Sequence, residues 1–288
     1  MKNIIWEFLL NYSANNITFK PISNNSSKFS SISAVIGNTA VDIVLSSGFN
    51  NGEKFEVNVL NGLQSAIHSS TNCKYLKLLD SLEESHFNFK KDDIIKVEAR
   101  KGSTKKTGRN IDELGMIIGD ILLYDQNNIW PLSIKDINGD TVSSYPGASS
   151  LFDSSGKLNE LSSIIPTLNS FGVDFEKLQF EFDQRNGLCN PIPKISQNTK
   201  CIKSFFNEIW GLNYFYVRNR TKHWEVFWLD QQKLDQLSSN IEVTEIRYPN
   251  KNSKQLSIHC RNEYKKYIIE VRNSSGREYP NDIKVKVK

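Results

Sequence analysis

Gly119-Asp-Ile-Leu-Leu-Tyr-Asp-Gln-Asn-Asn-Ile-Trp-Pro-Leu-Ser-Ile-Lys135 sets two apolar runs around a polar turn, and its reading decides the fold. Ile121 to Tyr124 is apolar and strand-like, Asp125 to Asn128 is turn chemistry, and Ile129 to Ile134 resumes the apolar run. The stretch therefore predicts a β-hairpin. Asp120 then stands at the mouth of the first strand, and Ser133 and Lys135, two residues apart, share one face of the second.

Upstream, Asp93 to Arg100 alternates like a strand. Glu53 to Ile67 spaces Phe55, Val59, Leu63 and Ile67 as one stripe of an amphipathic helix that opens with Glu53 and Glu56. Gly62 weakens that helix slightly. Tyr75 to Glu84 reads as a second, shorter helix, and residues 12–35 are rich in Ser and Asn. Met1 to Leu10 superficially resembles a signal sequence, but Glu7 interrupts a short apolar run and no small-residue cleavage site follows. We read it as a first helix or strand packed on the core.

Downstream, Thr141 to Gly156 is small, polar and Gly-containing, and reads as a loop. Leu158 to Phe171 and Val173 to Phe182 read as helices, with Pro166 breaking the first or starting a new turn. From Phe205 the character changes. A helix closes at Trp210, and Tyr214 to Trp228 holds two aromatic strands around a turn carrying Arg218, Arg220, Lys222 and His223. Tyr214 with Tyr216, and Trp224 with Trp228, suit base stacking, but aromatics at period two read first as sheet core. Further strands are expected over Asn240 to Tyr248, Gln255 to Cys260, Lys266 to Arg272 and Asp282 to Lys288.

The fold class is α/β of the α+β kind, with an α/β core over residues 1–204 and a β-rich region over 205–288. That last region is either a subdomain for DNA or partner contact, or an extension of the main sheet. A chain of 288 residues is long enough for a substantial core. Net charge is +4, compatible with a nucleic-acid partner and equally with a soluble protein carrying a few extra lysines. The four cysteines are scattered without a Cys-x-x-Cys pair, which argues against structural zinc and for reduced thiols in a cytoplasmic protein. No segment approaches the ~20 apolar residues of a membrane span.

Phosphodiester hydrolysis needs a divalent cation to polarise the phosphate and a nearby cationic side chain to orient the nucleophile. Asp120 offers an oxygen ligand for Mg²⁺, the backbone carbonyl of Ile134 another, and Lys135 a holder for the attacking water. In these residues the chain resembles the PD-(D/E)xK nuclease superfamily, whose aspartate opens one hairpin strand and whose acidic-x-Lys triplet ends the next. The resemblance is local to the hairpin. It implies a restriction-endonuclease-like mixed sheet flanked by helices. It also implies a Mg²⁺-dependent DNA endonuclease, with Mn²⁺ as a substitute, from a restriction system or a bacteriophage. Ser133 occupies the acidic position, a variant that some members carry. A hydroxyl is a weaker, neutral ligand, so the missing charge falls to Glu56, with Glu53 behind it, or to Glu98.

The loop Lys101 to Arg109 gathers Lys101, Lys105, Lys106 and Arg109 among glycines and hydroxyls, suited to phosphate contacts or simply to solvent. Ser143 and Ser144, with the hydroxyls and amides around them, are candidates for the same role. The expected partner is duplex DNA, with a homodimer as one arrangement, in a bacterial or phage-infected cytoplasm. The main rival is a DNA-binding phage protein on the same fold that has lost catalysis, a DNA-end or packaging factor, and Ser133 argues for it. A third reading is a virion assembly protein using its aromatic strands as a protein interface.

Overall fold

The computed structural model describes residues 17–21, 30–36, 39–45, 51–68, 73–100, 111–137, 139–145, 151–153, 155–184, 189–190, 197–248, 255–273 and 279–288. Strands β1 (Ile17–Pro21), β2 (Ser30–Ile36) and β3 (Thr39–Leu45) open the chain, followed by helices α1 (Asn51–His68) and α2 (Cys73–Ser85). Next come β4 (Lys96–Ala99), α3 (Leu114–Ile118), β5 (Ile121–Tyr124), β6 (Ile129–Lys135) and β7 (Thr141–Tyr145). Helices α4 (Ile165–Ser170) and α5 (Phe175–Gln184), strand β8 (Cys189–Asn190) and helix α6 (Thr199–Trp210) lead to β9 (Phe215–Asn219) and β10 (Trp224–Trp228). Helix α7 (Gln231–Ser238) precedes β11 (Glu242–Arg247), β12 (Leu256–Arg261), β13 (Lys266–Arg272) and β14 (Asp282–Val287).

These strands form three sheets of order β1-β2-β3, β10-β9-β6-β5-β4 and β7-β14-β13-β12-β11-β8, so the protein is mixed α and β. The predicted hairpin is β5–β6, paired antiparallel, and β6 also pairs parallel with β9. Asp125 closes the turn. Its Oδ1 accepts from the N–H groups of Asn127 at 2.7 Å and Asn128 at 2.6 Å, and its Oδ2 accepts from the Trp130 indole at 2.8 Å. Pro131 stands opposite Leu122, one residue before β9 joins at Leu132, so its missing N–H removes no ladder bond.

The hairpin sheet is covered on both faces. Val97, Ile121, Leu123, Leu132, Ile134 and Val217 pack with Val59, Leu60 and Leu63 of α1 and Leu78 and Leu82 of α2. Gly62 has a packing reason, because a Cβ there would collide with the Tyr75 ring of α2. On the other face Tyr214 and Tyr216 pack with Phe206 and Trp210 of α6 and with Ile258, Ile269 and Val285 of the third sheet. Helix α6 is capped by Asn198, whose side chain accepts from Cys201 N. Its residues Ile202, Phe205, Phe206 and Ile209 repeat at helical spacing and are buried, and Gly211, at φ 67°, ends it.

Strands from both sides of residue 204 share the second and third sheets, so the aromatic strands extend the hairpin sheet and β7 and β8 enter the C-terminal one. The four late strands expected from the sequence are β11 to β14, and burial alternates along β12, β13 and β14.

Three expectations are corrected. Thr141 to Tyr145 is strand β7, paired with β14 through Ser143↔Val285 and Ser144↔Lys284, where the composition suggested a loop. It is a sheet edge, where polar residues carry little penalty. The predicted helix from Leu158 to Phe171 shrinks to α4, because Pro166 sits in the first helical turn and so starts the helix, while turns at Asn159 and Ser162 precede it. Arg218 belongs to β9, and the turn spans Arg220 to His223. Strands β1 to β3 had no counterpart in the sequence reading, and residues 1–10 lie outside those described.

Burial opposes ionisation of Asp125, but bonds from Trp130, Asn127 and Asn128 outweigh it and hold its pKa at about 2, below its ordinary 3.8. A depressed carboxylate contributes stability above its unfolded pKa and loses it as pH falls through the folded value. Asp125→Asn should therefore flatten the stability profile between about pH 4 and pH 2. It should also cost about 1 kcal/mol at neutral pH, a small figure because the turn is open to solvent. Urea denaturation across that pH range measures both.

Candidate functional site

Helix α3 delivers Asp120 to the hairpin edge. Gly119 N–H donates to the Gly115 carbonyl at 2.9 Å, and a Cβ on Gly115 would collide with the Leu212 carbonyl, so α3 rests directly on the backbone entering β9. Asp120 N–H donates to the Leu132 carbonyl at 2.7 Å, and Arg100 N–H donates to the Asp120 carbonyl at 3.0 Å. Arg100 Nε adds a bond to the Gly119 carbonyl at 2.6 Å. The Gly119–Asp120 peptide is thus braced from both neighbouring strands.

Strand β5 begins at Ile121, opposite Leu132, so the next residue of β6 facing that edge, Ile134, lies beyond the ladder. Its N–H donates to Asp120 Oδ2 at 2.9 Å. A strand residue's N–H and C=O point to the same edge, so the Ile134 carbonyl faces the same gap. Lys135 Nζ lies 3.6 Å from Asp120 Oδ2, with side-chain exposures of 16% and 12%. These exposures distinguish the pair from a solvated surface Asp and Lys.

The sheet register extends this edge into a polar face. Ser133 stands beside Tyr216, and Lys135 beside Arg218. Across β9, Arg218 faces Glu225 and Tyr216 faces Phe227. Burial opposes ionisation of Glu225, yet Lys265 and Arg220 hold its carboxyl below the usual range. Arg220 reaches it at 2.6 Å and Lys265 at 3.1 Å. The Ser133 hydroxyl, the Tyr214 and Tyr216 hydroxyls and Arg218 Nε are buried without a well-formed hydrogen bond. Burial, with Tyr216 and the Asp120 charge adding to it, pushes the Tyr214 phenol well above its ordinary pKa.

Asp120, Ile134 and Lys135 come together as the sequence predicts. Glu98 does not join them. It lies on β4 opposite Leu122, two residues along β5 from Asp120, but its carboxylate lies 2.7 Å from Lys96 Nζ and acts on the Tyr124 phenol. Glu56 is half-buried on the core-facing stripe of α1, one turn before Val59 and Leu60. That end of α1 adjoins Trp224 through Phe55, at 6.3 Å between ring centroids. Trp224 pairs with Asn219 just past Arg218, so Glu56 lies near the end of the sheet where β6 finishes in Lys135, but α1 covers the face of Leu132 and Ile134, opposite to the one that Ser133 and Lys135 share. The side chains of Glu53, Ser143 and Ser144, and the loop carrying Lys101, Lys105, Lys106 and Arg109, lie outside the described residues. The chain leaves the described part at Arg100, beside Asp120.

Sequence reasoning missed Arg100, Tyr214, Tyr216 and Arg218 as neighbours of the site. The signal for two of them was the two-residue step Tyr216–Arg218, which matches Ser133–Lys135 once β9 is set parallel to β6. Trp130, Phe215, Trp228, His86 and Phe89 form an aromatic cluster in the core, with rings 4.6–6.2 Å apart.

No family model, curated protein or solved structure matches the chain. Among the described residues, no group of three or more His, Cys, Asp and Glu side chains is arranged to hold a metal ion, and no helix is long and apolar enough to cross a membrane.

An unsatisfied buried hydroxyl contributes desolvation cost without a bond to offset it. Ser133→Ala should leave unfolding free energy within about 0.5 kcal/mol of the parent, or raise it. Chemical denaturation tests this, and a clear loss of stability would mean that Ser133 has a partner in solution.

Proposed function

We propose that this chain is a Mg²⁺-dependent DNA endonuclease of the PD-(D/E)xK kind, with a restriction-endonuclease-like hairpin sheet. The observation that carries the reading is the pairing of Asp120 with Lys135, both largely buried, at the strand edge that Ile134 leaves open. The donor chemistry fits a hard cation, which is commonly held by one or two carboxylates together with water and substrate phosphate. Asp120 and the Ile134 carbonyl would hold it, and Glu56, on the helix across the sheet, would complete the charge only by reaching round the sheet end. The ion supplies positive charge that polarises the scissile phosphate.

The protein's own groups do the rest. Lys135 carries three donors and directs one towards Asp120, leaving others to hold the attacking water. Arg100 and the Ile134 N–H fix the position of Asp120. The helices on both faces of the sheet limit water around the pair, which strengthens each charge interaction there.

A second reading, a nuclease-fold protein that holds DNA without cutting it, is favoured by Ser133, a neutral hydroxyl where the family carries an acid. It predicts salt-sensitive DNA binding with no metal-dependent hydrolysis.

Asp120→Ala and Lys135→Ala should each lower Mg²⁺-dependent cleavage of plasmid DNA by roughly 10²-fold or more, and EDTA should abolish it in the parent. Unchanged cleavage in either variant would remove the assignment.

A further inference from the structure

Arg218 is buried to 8% exposure at the carboxyl end of β9, in register with Lys135. Among the described residues no carboxylate lies within ion-pair distance of it. Glu225, its neighbour across the sheet, is taken by Arg220 and Lys265, and Asp120 is taken by Lys135. Its Nε makes no well-formed hydrogen bond, and its near polar neighbour is the Tyr216 hydroxyl, which its charge and a loose side-chain contact act on and which makes no well-formed bond of its own.

A largely buried arginine without a counter-ion is costly, because charges withdrawn from water are ordinarily paired. This one shares a polar face with orphaned hydroxyls at the carboxyl ends of two parallel strands, where open sheets receive their ligands. Guanidinium recognises phosphate through two parallel N–H bonds, whereas a neutral ligand would leave the charge uncompensated.

The geometry points to Arg218, with the Tyr216 hydroxyl, as an oxyanion subsite that takes a phosphate of the DNA strand beside the Asp120–Lys135 pair. The inference rests on the nucleic-acid reading of that pair but does not require that the strand be cut. In the bound state Arg218 donates to two phosphate oxygens and Tyr216 to one. The phosphate then supplies the negative charge that the protein lacks at this point of the sheet.

The test measures binding of a short duplex oligonucleotide in EDTA, over a range of salt, to the full chain and to Arg218→Met and Arg218→Lys. Arg218→Met should weaken binding about 10-fold and flatten the dependence of log affinity on log salt by about one. Arg218→Lys should restore the slope and part of the affinity, because it keeps the charge and loses the fork. Thermal unfolding without DNA should be unchanged or shifted upward in Arg218→Met, since an unpaired buried charge has been replaced by an apolar chain of similar length.

Unchanged affinity and slope in Arg218→Met would overturn the subsite. So would a sharp loss of thermal stability or a failure to fold in that variant, which would mark Arg218 as a structural group. Cleavage by the parent with Mg²⁺, scored in parallel, separates the two claims. Arg218-dependent binding without cleavage removes the endonuclease reading alone, and cleavage with Arg218-independent binding removes the subsite alone.

Discussion

Strand β6 is hydrogen-bonded on both edges, to β5 in one direction and to β9 in the other, and the rest of the molecule depends on that double pairing. The antiparallel edge ends one step early, which leaves the Ile134 peptide to the Asp120 side chain. The parallel edge sets Ser133 against Tyr216 and Lys135 against Arg218. Because side chains alternate with period two, a slip of one residue on either edge would turn Lys135 towards the apolar layer under α1 and α2. The Asp125 turn pins the first register, and the contact of α3 with the backbone at Leu212 helps to fix the second.

What was legible in the sequence was local. Asp125 to Asn128 announces its own turn, and the stripe of Phe55, Val59, Leu63 and Ile67 announces its own helix, because each signal lies within a few residues of its partner. The partnership of β6 with β9 was hidden, since their register is set by a long crossover through other elements, and composition carries no trace of which strand neighbours which. Strand β7 was hidden for another reason. Its polar residues lie at a sheet edge, where sequence composition matches that of a loop. Glu98 was rightly read as a strand residue, yet nothing in its spacing reveals that its carboxylate pairs with Lys96, two residues away.

The polar face also bears on stability. Most of the hairpin sheet is closed by apolar layers, but Ser133, Tyr214, Tyr216 and Arg218 bury polar atoms that make no well-formed bond. Desolvation without compensation opposes folding, and a protein carries such groups at a cost that the surrounding core must offset. His86, Asn207 and Trp210 carry further such atoms elsewhere, but these four lie on one face beside the Asp120–Lys135 pair, the place where we locate the chemistry. A family resemblance confined to a hairpin is thereby joined to features that a short motif does not contain.

The most direct measurement of the central claim is anomalous diffraction from a manganese-soaked complex of the protein with a cleavage-resistant DNA duplex. The account predicts a manganese peak in contact with the Asp120 carboxylate and a phosphate oxygen of the DNA. A bound duplex with no metal at Asp120, or a metal bound elsewhere on the chain, would contradict it.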